Sequence, residues 1–292
     1  MSQPGLVVQN LSKTYSNGIR ALDGVSFTVE SGMYGLLGPN GAGKSTLMRT
    51  LATLQRPDGG SVHLDGVDGL ADPDHLRRNL GYLPQSIGSY PSVSGRQLLD
   101  RFAWLKGRTD RAERDREVGT LLDRVNLSAA GNQAVATYSG GMRRRFGIAV
   151  ALLAAPRLII VDEPTAGLDP AERNRFHRVL AEVATDAVVL LSTHIVEDVE
   201  HLCRRLAILD QGRIVAEGTP DELEAPLAGQ LWSRVVPRGE SLPEAIHVSA
   251  RPEGTLVVVR SATAPTDAFQ PHPPRLEDAY HVALADAPRE AA

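Results

Sequence analysis

The sequence contains almost no cysteine, since Cys203 is the only one among its 292 residues. A single cysteine cannot form a disulfide within the chain, so we expect a protein of a reducing compartment. We interpret the thiol as a small buried apolar group, which is the usual state of a free cysteine. The first ten residues, MSQPGLVVQN, also lack the basic and apolar regions of a secretory signal peptide.

Long apolar runs are also missing. The longest are short, such as residues 148–155, whereas a membrane-spanning helix needs roughly 18 consecutive apolar residues. If the protein acts at a membrane, we therefore expect another chain to supply the spanning part. Hydrophobic residues still make up 42% of the chain, which is ample for the core of one large or two modest domains.

The chain has no strong excess of charge. Its 31 Lys and Arg residues nearly balance its 35 Asp and Glu residues, and the formal net charge is -4. This balance gives no support for nucleic-acid binding, so we expect no nucleic-acid partner. Three consecutive arginines, at positions 143 to 145, are interpreted as a solvated or interface face of a helix.

What the sequence does contain is a glycine-rich segment, residues 38–46, that reads GPNGAGKST. Gly38, Gly43, Lys44 and Ser45 have the spacing of a phosphate-binding loop. Glycines let backbone N–H groups point at phosphate oxygens, the lysine reaches the β- and γ-phosphates, and the serine hydroxyl can bind Mg²⁺. The alternative is an ordinary glycine-rich turn between a strand and a helix. We predict nucleoside triphosphate binding by Gly38, Asn40, Gly41, Ala42, Gly43, Lys44, Ser45 and Thr46.

The segments on either side of this loop support the prediction. Residues 33–37 form a short apolar run typical of a strand, and residues 44–54 carry apolar side chains at helical spacing. The phosphates would then lie at a helix N-terminus, where the helix dipole favours negative charge.

Two adjacent carboxylates follow a second apolar run, residues 158–161. Successive side chains of a strand point to opposite sides. We therefore predict that Asp162 holds Mg²⁺ and that Glu163 polarises the attacking water. The alternative is a pair of solvated acids at the end of a strand.

The order of apolar runs predicts an α/β fold. Strand and helix patterns alternate from residue 158 to residue 209, which is typical of a parallel sheet with helices on both faces. The N-terminal strands predict an antiparallel β portion, and residues 93–125 have helical spacing around a break at Gly107. We predict a nucleotide-binding domain over residues 1–224, with a helical subdomain at 86–157, and a small α+β appendage at 225–292.

A serine and two glycines, Ser139, Gly140 and Gly141, precede another helical run. Alone they are a weak sign of a second anion site. Together with the phosphate loop and the paired carboxylates, they make residues 5–224 resemble the ATP-binding cassette (ABC) ATPases, and most closely the ATP-binding subunits of ABC transporters. The phosphate loop resembles the family's Walker A motif, residues 159–163 resemble Walker B, and Ser139 to Gly141 resemble the signature motif.

The resemblance implies roles for further residues. Tyr15 would stack on adenine, Gln85 would contact Mg²⁺ and couple to the membrane partner, Asp169 would belong to a loop at the dimer interface, and His194 would approach the γ-phosphate. Catalysis would rest on Glu163 and His194, and Mg²⁺ would be held by Ser45, Gln85 and Asp162. In this family the signature motif of one subunit closes on ATP that is held by the other.

Two features depart from the common signature pattern, since Met142 replaces a glutamine and Tyr138 replaces a leucine. The variant resembles the exporting branch for drugs and polysaccharides, of ABC-2 type, and so does the segment Leu276-Glu277-Asp278-Ala279-Tyr280.

The resemblance implies a cytoplasmic ATPase that uses ATP and Mg²⁺, pairs with a second copy and binds separate permease subunits at the inner face of the membrane. The alternatives are a soluble ABC ATPase with a non-membrane partner and a nucleotide sensor that does not hydrolyse ATP. No nucleotide-binding motif lies beyond residue 224, so deletion of residues 230–292 is expected to spare nucleotide binding.

Overall fold

We analysed a computed structural model, which describes residues 5–85, 88, 90–164, 169–240, 242 and 244–288. The strands of this described part are β1 (Leu6–Thr14), β2 (Arg20–Val29), β3 (Gly32–Leu37), β4 (Gly59–Leu64), β5 (Val67–Asp68), β6 (Leu80–Leu83), β7 (Leu158–Asp162), β8 (Val188–Thr193), β9 (Arg205–Asp210), β10 (Arg213–Gly218), β11 (Leu231–Val236), β12 (Ala245–Arg251), β13 (Gly254–Arg260) and β14 (Gln270–Pro271). The α-helices are α1 (Lys44–Leu51), α2 (Pro73–Arg78), α3 (Gly95–Leu105), α4 (Arg111–Arg124), α5 (Gly140–Ala151), α6 (Pro170–Val183), α7 (Val196–Leu202), α8 (Pro220–Glu224) and α9 (Leu276–Asp286).

The central sheet has the strand order β10-β9-β3-β8-β7-β6. Its inner strands pair in parallel, and β10 adds an antiparallel edge. The alternation of side chains along β7 divides the core in two: Ile159 and Val161 join the cluster on the helical side, whereas Leu158 and Ile160 join the cluster beneath the antiparallel sheet. Both faces of the sheet are therefore covered, which explains its nearly continuous apolar strands.

The antiparallel sheet has the order β2-β1-β4-β5 and packs with α1 against the central sheet. On the opposite side, α3, α4 and α5 form the helical portion. Its helices begin at side-chain caps, because Ser94 accepts a hydrogen bond from the Gln97 N–H and Asp110 accepts one from the Glu113 N–H. Gly107 has a φ of +88°, and it separates α3 from α4 as the sequence predicts.

A third sheet, of order β12-β13-β11-β14, lies in the C-terminal part of the chain. The helix α9 connects this part to the core: Ala279 and Val282 pack in a small cluster with Val258 of β13, whereas Leu276 and Tyr280 belong to the core cluster of the helical side. The buried carboxylate of Asp278 lies 3.2 Å from His247 Nδ1 and 3.2 Å from His272 Nε2, so it joins α9 to β12 and to the segment after β14. The separation of the appendage at residue 225 stays a prediction.

The predicted fold class is confirmed, and so is the burial of Cys203, whose thiol pKa is raised by desolvation. Some boundaries differ. The helix after the phosphate loop ends at Leu51, not residue 54, because Thr53 takes a left-handed φ of +58° and Leu54 is exposed. The helix after the signature begins at Gly140, well before the apolar run at residue 146, because Ser139 caps it.

Candidate functional site

The phosphate loop connects the end of β3 to the start of α1. Gly43 lies at the N-cap position of α1 with a φ of +106°, and Gly41 has a φ of +84°. Neither conformation suits a residue with a Cβ atom. At Gly38 the constraint is space, because a Cβ atom there would lie 2.3 Å from the Leu209 carbonyl oxygen. The glycines found by spacing thus serve a curled loop packed tightly against β9.

Lys44 is buried at the first position of α1 and points back into the loop. Its Nζ donates hydrogen bonds to the carbonyl oxygens of Gly38 at 2.6 Å and Pro39 at 2.9 Å. Burial lowers the pKa of Lys44, while the carboxylates of Glu163 and Asp162 act to raise it. A cation in this position has exchangeable partners and is suited to contact an entering phosphate.

Asp162 ends β7 and is only 5% exposed. Burial raises the pKa of its carboxyl, an effect partly offset by the hydroxyls of Ser192 and Ser45 and by the charge of Lys44. Its Oδ1 atom has no hydrogen-bond partner among the described residues. A buried carboxylate oxygen without a protein partner is a suitable ligand for a hard cation.

Glu163 follows in a left-handed conformation, with a φ of +46°. The sequence predicted that the side chains of Asp162 and Glu163 point to opposite sides because they alternate along one strand. The strand instead ends at Asp162, and the backbone turn at Glu163 sets the direction of the Glu163 side chain. The Glu163 side chain meets two predicted partners: its Oε2 accepts a hydrogen bond from Gln85 Nε2 at 3.1 Å, and its Oε1 lies 3.3 Å from His194 Nδ1. Three side chains that are distant in the sequence thus converge at the carboxyl ends of β6, β7 and β8.

A cavity of about 690 Å³ lies above the phosphate loop. Tyr15 lies at its wall, and the tyrosine hydroxyl donates to Gln55 Oε1 at 3.2 Å and lies 3.1 Å from the Thr46 hydroxyl. Glu163 lines the same cavity. The structure therefore brings the predicted aromatic, the loop and the carboxylate predicted to be catalytic to one space.

The predicted signature residues lie elsewhere. Ser139 caps α5 by accepting a hydrogen bond from the Met142 N–H at 3.2 Å, and Ser139 and Gly140 are exposed. Tyr138 anchors this segment, because its buried hydroxyl donates to the Ala130 carbonyl at 3.0 Å. Among the described residues that line the cavity, Ser139, Gly140 and Gly141 do not appear. Within one chain, the signature is thus separate from the phosphate loop.

Asp169 caps α6, since its carboxylate accepts a hydrogen bond from the Glu172 N–H at 2.9 Å. Residues 166–168 of the predicted dimer-interface loop lie outside the described residues. From Asp169 the chain enters α6, whose Arg173 contacts the buried Asp198 of α7 at 2.7 Å. This ion pair therefore connects the helix after the predicted interface loop to the helix after His194.

Sequence reasoning missed residues at two places. Of the solvated or interface face predicted for three arginines, solvation holds for Arg143, which is exposed. Arg144 and Arg145 are half-buried and donate to the carbonyl oxygens of Gln85 and Asn126, because α5 turns about 100° per residue. Arg145 pairs with Glu172 at 3.1 Å.

The second place is the cavity wall, where Asp210, Gln211, Arg213, Val215, Ala287 and Pro288 also lie. No motif marks these residues, and only the fold brings the C-terminal segment to the phosphate loop.

Comparisons with known proteins agree with this geometry. The family model described as ABC transporter matches residues 22–166. The chain is 40% identical over 234 residues to the daunorubicin/doxorubicin resistance ATP-binding protein DrrA of Streptomyces peucetius, an overlap that spans 79% of this chain and 70% of that protein. The chain belongs to the ABC transporter family of ATP-binding proteins. As an ABC ATPase, it binds and hydrolyses ATP to power a membrane transporter.

Two further relatives extend the comparison. The doxorubicin resistance ATP-binding protein DrrA of Mycobacterium tuberculosis is 42% identical over 236 residues, which cover 80% of this chain and 71% of that one. Among solved structures, a dimeric ATP-binding cassette in a post-hydrolysis state with ADP and Pi matches with a TM-score of 0.65 and 26% identity, over 73% of this chain and 98% of the other. The ABC resemblance predicted from the sequence is confirmed. In the described part of this ABC ATPase, no helix is long and apolar enough to span a bilayer.

Proposed function

We propose that this ABC ATPase hydrolyses ATP at the cavity above residues 38–46 and that Glu163 activates the attacking water. The observation that carries the proposal is the position of the Glu163 carboxylate, held between Gln85 Nε2 and His194 Nδ1 at the wall of that cavity. A carboxylate fixed at both oxygens can orient a water molecule towards a γ-phosphate and accept its proton. Because Nδ1 of His194 faces Glu163, Nε2 is the ring nitrogen left to contact the γ-phosphate.

Binding of the nucleotide is assigned to the loop and to Tyr15. The ring of Tyr15 stacks on adenine, and the backbone N–H groups of residues 38–46 surround the phosphates. Lys44 exchanges its contacts with the carbonyl groups of Gly38 and Pro39 for contacts with the β- and γ-phosphates.

The residues present also fit Mg²⁺. Among the described residues, no group of three His, Cys, Asp or Glu side chains is placed to hold a metal ion by itself. Asp162, Ser45 and Gln85 would bind the ion jointly with the phosphates, which is the usual arrangement for Mg²⁺ in nucleotide sites. The unpartnered Oδ1 of Asp162 supports this assignment. When bound, the ion would neutralise charge that develops on the β- and γ-phosphate oxygens.

The second half of each ATP site is proposed to come from another copy of the chain. Ser139, Gly140 and Gly141 expose the N-terminus of α5, which can bind an anion, but they do not line the cavity of their own chain. Asp169 would then lie where the two copies meet. The dimeric relative with ADP and Pi supports a pair that closes on nucleotide.

We further propose that the transporter is an exporter. Two relatives are named for resistance to daunorubicin or doxorubicin, which favours outward transport of a drug-like cargo. Separate permease subunits would hold this chain at the inner face of the membrane, and cargo contacts would lie in those subunits. Identification of the membrane protein that co-purifies with the chain tests this assignment, and recovery of a soluble partner alone would contradict it.

The decisive experiment on the site is Glu163→Gln, which keeps the size of the side chain and removes its charge. Turnover should fall about 10²- to 10⁴-fold, the usual cost of losing a general base. ATP affinity should stay close to that of the wild type, because Lys44 and the loop are intact. The chain should also shift from monomer to dimer on addition of Mg-ATP, which sedimentation can measure.

Glu200→Gln is the matched control, because it makes the same chemical change at an exposed position of α7. Its turnover should equal that of the wild type. Near wild-type turnover in Glu163→Gln would refute the catalytic role of Glu163, whether or not the dimer is detected.

A further inference from the structure

One arginine of α5 binds two loops of the site at once. Arg144 Nε donates to the Pro164 carbonyl oxygen at 2.6 Å, and its Nη1 donates to the Gln85 carbonyl oxygen at 2.8 Å. Its Nη2 donates to the carbonyl oxygen of Glu163. Burial lowers the pKa of the guanidinium, while the carboxylates of Asp162 and Glu163 act to raise it. The three acceptors belong to the segments that follow β6 and β7.

These segments carry the side chains that meet above the phosphate loop. Gln85 and Glu163 contact each other through Nε2 and Oε2, and Glu163 holds a left-handed φ of +46°. This conformation is unfavourable for a residue with a Cβ atom, so it needs support from the surrounding structure. Arg144 supplies such support directly, because it binds the carbonyl oxygen of Glu163 and that of the following residue.

The position of Arg144 along α5 links these loops to the signature. The helix begins at Gly140, with Ser139 as its cap, and Arg144 lies slightly more than one turn later. A rigid first turn therefore joins Ser139 to Arg144, and any displacement of this end of the helix is transmitted to the carbonyl groups of Gln85 and Glu163.

We propose that Arg144 is a positioning residue that sets the Glu163 carboxylate for hydrolysis according to the placement of the signature end of α5. The inference rests on the proposed hydrolytic role of Glu163 and adds a route by which closure at Ser139 reaches it. Arg144 touches neither nucleotide nor water in this scheme. It acts through the two backbone segments whose side chains do.

The neighbouring arginines have different environments, which makes them useful for comparison. Arg143 is exposed. Arg145 pairs with Glu172 and donates to the Asn126 carbonyl oxygen at 2.8 Å, so it joins α5 to α6 and to the end of α4. Of the three arginines, only Arg144 donates hydrogen bonds to both the segment after β6 and the segment after β7. A lysine would keep the charge but would offer its donors from a single point.

The test uses Arg144→Ala and Arg144→Lys in the full chain, with Arg143→Ala as the matched control. If the Glu163 carboxylate is displaced by about 1 Å in the Arg144→Ala variant, kcat should fall about 10- to 100-fold. The KM for ATP and the Kd measured by calorimetry should stay within about twofold of wild type, because the phosphate loop is untouched. Arg143→Ala should behave as the wild type, and Arg144→Lys should recover only part of the lost kcat.

Free guanidinium at millimolar concentration provides a readout that general destabilisation would not give. It should restore part of the kcat of Arg144→Ala, whereas the same concentration of methylammonium should not. Wild-type kcat in Arg144→Ala, an ATP affinity that falls with kcat, or the absence of rescue by guanidinium would each overturn the inference. Absence of ATP turnover in the wild type, in contrast, would contradict the hydrolytic function itself.

Discussion

Replacing Gly43 by alanine tests the phosphate loop through its geometry alone, because no charge or hydrogen-bonding group changes. Two penalties are expected. The φ of +106° costs an L-residue with a side chain roughly 1 kcal/mol. The new Cβ atom would also lie 2.4 Å from the Ala21 carbonyl oxygen, whereas real Cβ contacts are essentially never shorter than 3.0 Å. The loop or β2 must therefore move by at least 0.6 Å.

The strand is the less able to move. β2 is paired with β1 along its length, whereas residues 38–43 form a turn. The phosphate loop should therefore shift away from β2 and carry its N–H groups out of line with the phosphates. Since a misplacement near 1 Å can cost about 10² in rate, we expect kcat/KM for ATP to fall about 10- to 100-fold.

Gly107→Ala separates strain from displacement. Gly107 has a comparable φ of +88°, but no atom lies within 4 Å of its added Cβ, and it lies between α3 and α4. In urea unfolding, this variant should lose roughly 1 kcal/mol of stability and keep a normal kcat/KM. If the Gly43→Ala variant also keeps a normal kcat/KM, the proposed contact between the loop and β2 does not constrain phosphate binding, and the reasoning fails.

Three other perturbations have expected outcomes. Lys44→Ala should weaken ATP binding about tenfold or more in calorimetry, because charged hydrogen bonds contribute roughly 1.5–3 kcal/mol; an unchanged Kd would contradict the phosphate-loop assignment. Tyr280→Ala, at a core position of α9 that is 9% exposed, should lower the free energy of unfolding by about 3 kcal/mol, with the ATP Kd of the folded variant unchanged. Burial acts to raise the pKa of Asp278, but the neighbouring His247 and His272 rings and the Arg275 N–H outweigh it and lower the pKa. The stability that the Asp278 carboxylate contributes is therefore present above its ordinary pKa of about 4 and is lost as the pH falls through its lower pKa in the folded protein. The loss of unfolding free energy caused by Asp278→Asn, measured in urea, should accordingly shrink below about pH 4. A loss that does not depend on pH would contradict this.

The parts of the site that follow from sequence are those set by local backbone chemistry. Gly38, Gly43, Lys44 and Ser45 are recognisable because a loop that surrounds phosphate needs glycine conformations and a cation at fixed spacing. The strand that ends at Asp162 is equally recognisable, because a continuous apolar run is typical of a strand covered on both faces of a parallel sheet. In both places the residues that define the feature are neighbours in the chain.

The contrast among Arg143, Arg144 and Arg145 shows where sequence reasoning stops. All three are the same residue type, and composition assigns them one environment. Their directions differ by about 100° at each step along α5. Which direction faces the segments after β6 and β7 depends on how α5 packs against the sheet, and that is settled by residues far away in the sequence.

Backbone turns at single residues were equally beyond prediction. Glu163 and Thr53 both take left-handed φ values, although neither is glycine or asparagine. At Glu163 a tertiary contact outweighs local preference, because the Glu163 N–H donates to the Ser192 carbonyl oxygen at 2.9 Å and this bond links the turn to β8. Thr53 instead ends α1, where the Leu54 N–H donates to the Arg49 carbonyl oxygen at 2.9 Å. The contribution of Ala287 and Pro288 to the cavity wall was missed for a similar reason, since it depends on where α9 docks.

The docking of α9 has a consequence for synthesis of the protein on the ribosome. Leu276, which is fully buried, and Tyr280 complete a core cluster whose other members precede residue 209. While α9 is still untranslated, the ATPase core exposes the apolar surface that these side chains later cover. Newly made chains therefore pass through a stage in which the ATPase core is nearly folded but exposes an aggregation-prone apolar surface. Chaperones can bind this surface until α9 is made.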